Sequence, residues 1–124
     1  MNKLLTYSCG GVNALFTVFH VLLGTAITGY PSLSPVYRGL MQAFNLGGTL
    51  MIAFLAFAFL ACRSDLGTRL GRGTIVLGAA VYLTRALGEY VFFPTARLPI
   101  VIVCVVAGLL HVGALMTKSE PKLA

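Results

Sequence analysis

The sequence predicts an all-α integral membrane protein: one bundle of four transmembrane helices over residues 1–124, with both termini cytoplasmic. Three observations predict it. The chain has 124 residues, of which 58% are hydrophobic and only 10% charged, with a mean hydropathy of +0.93. A soluble domain of that size exposes too large a share of its surface to hide so much apolar material, so the solvent is lipid. The apolar residues also fall into four runs, each near the ~20 residues that a helix needs to cross a bilayer. Finally, Lys3, Arg63, Arg69, Arg72, Lys118 and Lys122 fall on one side of those runs, and only Arg38 and Arg97 on the other. Cytoplasmic loops carry the excess of Lys and Arg, which puts the termini and the 63–72 loop inside; the membrane is expected to be a bacterial cytoplasmic (inner) one.

The first helix is expected over about 5–28. The start, Met1-Asn-Lys3 before an apolar run, has the look of a signal peptide, but the run continues without a small-residue cleavage site and reads as a membrane helix. Pro31 and Pro35 end it, because a proline lacks the N–H that helix continuation needs. The second helix is expected over 36–62, followed by a polar loop at 63–72 broken by Gly67 and Gly71. The third, 73–93, turns at Pro94–Pro99 into the fourth, 99–117, leaving a frayed polar tail. Short turns make sequential helices antiparallel neighbours.

The third helix holds the most informative stretch. Arg85 and Glu89 lie within an apolar span, where a charge costs roughly 2.5–3.5 kcal/mol on insertion scales. Four residues apart, they share a face and can pair. Arg before Glu is the less favourable order for such a pair, so helix stability alone is a weak reason for it. Each of the other helices also carries a polar or small stripe at helical spacing: Asn13, Thr17, His20 and Gly24 on the first, Arg38, Gln42, Asn45 and Thr49 on the second, Cys104, Gly108 and His111 on the fourth. Polar groups in lipid turn inward, so the stripes are expected to converge.

Helical rise sets which can meet. His20 lies ~22 Å from the inner end of its helix, and His111 ~13 Å deeper toward the cytoplasm, near the level of Asn13. The expected ligand site is therefore His20, Asn45, Arg85 and Glu89 in the outer half, with Gln42 and Tyr82 around it. His20 and Glu89 are the candidates for proton transfer or catalysis. His20 and His111 are weak candidates as axial ligands of haem b, since their depths differ. The acids are too few for a di-iron centre, and no Cys-x-x-C suggests dithiol exchange or zinc. The three cysteines read as packing residues.

The net charge of +6 sits at helix ends rather than in one patch, which favours membrane orientation over nucleic acid. The leading functional expectation is a small binding or accessory protein holding a lipophilic molecule such as a quinone or lipid, as a homo-oligomer or as a subunit of a larger membrane complex. The alternatives are a small membrane enzyme using His20 and Glu89, and a proton-coupled oligomeric transporter.

Overall fold

The computed structural model describes residues 2–95 and 97–117, and all the regular structure among them is helical. The order is α1 (Lys3–Gly29), α2 (Pro35–Leu60), a short 3-10 turn at Arg63–Asp65, α3 (Arg69–Phe92) and α4 (Leu98–Met116). All four helices are long and apolar enough to span a membrane. The polar tail expected after residue 117 lies outside the described residues.

The helix starts are set by side-chain caps. Asn2 Oδ1 accepts from Leu4 N at 2.9 Å, which starts α1 two residues earlier than the apolar run suggests. Ser34 accepts from Tyr37 N, and Pro35 behind it occupies the first turn, where its missing N–H costs nothing. α3 begins at Arg69 rather than near residue 73, because Thr68 Oγ1 accepts from Gly71 N at 3.1 Å. Gly71 reads as a helix breaker in the sequence but lies inside this first turn. A Cβ there would overlap the backbone of Asp65 and Leu66, so glycine is what lets the 63–68 connection fold back onto α3.

The helices form two antiparallel hairpins. α1 packs along α2 and α3 along α4; the hairpins then meet chiefly through α1 and α4, with a smaller contact between α2 and α3. At the end that carries the termini, one core cluster draws on every helix: Cys9, Phe59, Ile75 and Ala114, with Leu66 of the connection. Gly10 admits the side chains of Phe59 and Leu60 against α1. Further along, a second cluster joins Tyr82 and Ala86 of α3 to Val101, Cys104 and Ala107 of α4, with Val12 and Phe16 of α1 against it. None of its members comes from α2. The far half of α2 accordingly leans on α1 and leaves Leu40, Phe44, Leu46 and Leu50 exposed.

The 30–34 connection is tied down by Arg38, whose guanidinium donates to the carbonyls of Tyr30 (2.9 Å) and Leu33 (3.2 Å). A charge in the first turn of α2 is thus used to close the turn between the first two helices.

Candidate functional site

Three polar groups occupy the bundle. The most deeply buried joins the two hairpins. Tyr82 Oη donates to Asn13 Oδ1 at 2.7 Å, and the Asn13 amide donates to Cys9 O at 2.8 Å and to His111 Nε2 at 3.1 Å. His111 Nδ1 lies 2.8 Å from Ala107 O. A carbonyl only accepts, so Nδ1 carries the proton and Nε2 is the acceptor for Asn13. With that tautomer each member has a partner, and Asn13 and His111 have no accessible surface left. The Phe59 ring meets the imidazole edge to face at 5.1 Å. Gly78 makes room for it, since a Cβ there would overlap the His111 ring.

The second group lies in the far half, between α1 and α2. Asn45 Nδ2 donates to His20 O at 2.9 Å, which fixes Asn45 Oδ1 as the acceptor facing His20 Nδ1 at 2.9 Å. Gln42 Nε2 donates to Gly24 O at 2.6 Å and to Thr28 Oγ1 at 2.7 Å. Gly24 permits the approach: the Asn45 amide nitrogen sits 3.1 Å from where its Cβ would be. A half-open cleft of about 370 Å³ is lined by His20, Gly24, Gln42, Asn45 and Thr49 together with Val21 and Leu46. All of its lining comes from α1 and α2. Val21 and Leu46 are themselves exposed, so the cleft is open at the bundle surface, while Ile52 and Ala56, farther along the stripe of Asn45 and Thr49, are buried in the bundle.

Arg85 and Glu89 form the third group. They pair within α3, with the Glu89 side chain buried and that of Arg85 45% exposed. The second Glu89 oxygen accepts from Arg97 N at 3.4 Å, at the start of α4, and the Arg85 guanidinium lies 5.8 Å from the Phe93 ring centre. A carboxylate there satisfies an orphan N–H and faces the positive end of α4. The pair therefore pins the α3–α4 turn.

The structure thus brings His20, Asn45 and Gln42 together and pairs Arg85 with Glu89, but no described hydrogen bond links the two sets. Tyr82, expected around the outer site, instead belongs with Asn13 and His111. Comparison with protein-family models, with curated proteins and with solved structures finds no match. Both nitrogens of His111 are engaged, so it offers no lone pair to a haem iron unless the network opens. Among the described residues no three His, Cys, Asp or Glu side chains lie close enough to hold a metal ion. Asn13 was visible in the sequence only as one member of a stripe. Its signal was position: a carboxamide in mid-helix, at the depth computed for His111.

The pair at the α3–α4 turn invites a direct test. Losing one member of a buried ion pair costs roughly 3–5 kcal/mol, but Arg85 is nearly half exposed and Glu89 can take up a proton, so Arg85→Leu is expected to cost about 1–2 kcal/mol. The double variant with Glu89→Leu should regain part of that loss. Reversible unfolding in mixed micelles gives both numbers, and a double variant less stable than either single one contradicts the assignment.

Proposed function

We propose that the chain is an integral protein of a bacterial cytoplasmic membrane, with both termini inside, that binds the polar head of a lipophilic molecule in the α1–α2 cleft. It does so as a binding or accessory protein, alone, as a homo-oligomer or within a larger membrane complex. The observation that carries this reading is the difference between the two histidines. His111 spends both ring nitrogens on the protein, whereas His20 spends only Nδ1 and leaves Nε2 at a cleft open to the bundle surface. A polar group that serves packing alone is expected to be fully satisfied when removed from water. His20 and Glu89, the pair that proton-transfer chemistry needs, share no hydrogen bond, so the enzyme reading has less support.

Depth favours a lipophile. Gln42 lies seven residues and Thr49 fourteen residues into α2, or ~10 and ~21 Å from its start. That range falls below the headgroup layer, where only a molecule already dissolved in the membrane can present a polar group. In native mass spectrometry of protein extracted in mild detergent, the wild type should retain a bound lipophile that His20→Leu loses at unchanged helix content. Identical retention by the variant would rule out the cleft as the site.

The orientation has its own test. In a cysteine-free background, a single cysteine at Ser32 should react with an impermeant maleimide on intact cells, and one at Ser64 only after lysis. The reverse pattern overturns the orientation and with it the depth of the cleft.

A further inference from the structure

The hydrogen-bonding sense of the cleft selects among lipophiles. Asn45 fixes the tautomer of His20: because its amide nitrogen donates to His20 O, its oxygen is turned to the ring, and Nδ1 must carry the proton. In the neutral imidazole Nε2 is then a bare acceptor. Gln42 gives its amide nitrogen to Gly24 O and Thr28 Oγ1, which leaves Oε1 as a second acceptor. Thr49 Oγ1 donates its proton to Asn45 O at 2.7 Å and retains lone pairs. Asn45 keeps one further amide hydrogen, on the nitrogen that lies against Gly24 of α1. Neither His20 Nε2 nor Gln42 Oε1 is walled off: among the described residues, the buried side-chain nitrogen or oxygen without a partner is Arg38 Nε.

From this geometry we infer that the cleft takes a lipophile whose head donates hydrogen bonds, a membrane-dissolved alcohol or hydroquinone, and discriminates against heads that only accept, such as quinones, ethers and esters. The inference rests on the cleft being the binding site. It goes further by assigning the chemical class. An acceptor-only head would set its lone pairs against those of His20 and Gln42, with only the remaining Asn45 amide hydrogen, on the nitrogen packed against Gly24, to pair with. A hydroxyl pairs with either one: Gln42 of α2 meets α1 at Gly24, about one helical turn along from His20. A site built to hydrogen-bond a hydroxyl rejects the analogue that lacks it, because its own polar atoms are then left unpaired.

The test uses the full-length protein in lipid nanodiscs with four probes: decylhydroquinone, decylbenzoquinone, the dimethyl ether of the hydroquinone, and dioctanoylglycerol. The hydroquinone should bind about tenfold more tightly than the quinone or the ether, the factor expected for one to two hydrogen bonds. Dioctanoylglycerol carries a single aliphatic hydroxyl and shows whether the ring diol or a lipid alcohol fits better; binding of either above the ether supports the rule. The ¹⁵N resonance of His20 Nε2 should move from the bare-acceptor position toward the hydrogen-bonded one as the hydroquinone is added. His20→Leu and, independently, Gln42→Leu should each erase most of the preference while the thermal transition is retained. If the hydroquinone, quinone and ether bind equally, and His20→Leu weakens all three alike, the donor rule is overturned and the binding site stands. If no probe binds saturably, both fall.

Discussion

Gly78→Val should destabilise the bundle by about 3 kcal/mol, at the upper end of what overpacking a filled core costs. The side chain would enter the space of the His111 ring, which is enclosed on its other sides by Phe59 and Tyr82. The ring cannot retreat without giving up the bond from Asn13. A glycine-to-alanine change in a helix normally gains up to ~1 kcal/mol in propensity, which offsets part of the clash, so valine is the cleaner probe. The paired variant Gly78→Val with His111→Ala should be more stable than Gly78→Val alone. Independent costs that simply add would show that the two residues do not compete for one space.

Asn13→Leu is expected to lose about 2–3 kcal/mol. Leucine has nearly the shape of asparagine but leaves Tyr82 Oη and His111 Nε2 without partners in a region closed to water. In soluble proteins each unsatisfied group costs roughly 1–3 kcal/mol. Interhelical hydrogen bonds measured in a membrane protein average only ~0.6 kcal/mol and reach ~1.7, which argues for the lower part of the combined range. Once Asn13 is gone, Tyr82→Phe should add less than about 0.5 kcal/mol, because the hydroxyl it removes is already stranded. Tyr82→Phe in the wild-type background should cost about 1 kcal/mol, since it leaves Asn13 Oδ1 bare. Unfolding titrations of the four proteins close the cycle; equal costs for Tyr82→Phe in both backgrounds would remove the network as a unit.

The four apolar spans and the polar face of each were legible in the sequence, because a helix long and apolar enough to cross a membrane needs about twenty apolar residues and has one side left for whatever is not apolar. The local pairing of Arg85 with Glu89 was legible for the same geometric reason, four residues being about one turn. Which stripes face each other was not. His20 and Glu89 occupy similar depths, but one looks across to α2 and the other to the start of α4, and periodicity along a helix carries no information about which neighbour its polar face meets. Tyr82 was misplaced because helical rise locates a Cα, whereas its phenol projects away from the backbone to reach Asn13. Caps decided the helix starts, and single residues such as Thr68 moved a boundary by four positions.

The division into two hairpins has a consequence for assembly. Every described side-chain hydrogen bond between the hairpins runs through one residue, Asn13, to Tyr82 and His111, the latter 98 positions later in the chain. The bonds of the cleft and of the Arg38 turn lie wholly within the first hairpin and can form before the second has been made. As the chain emerges from the ribosome, α1 and α2 can close early, with the cleft between them complete, while Asn13 waits with one amide hydrogen and its oxygen unspent. That waiting group acts as an address. It penalises docking against any helix without a matching acceptor and hydroxyl at its depth, and it is satisfied only when α3 and α4 arrive in register.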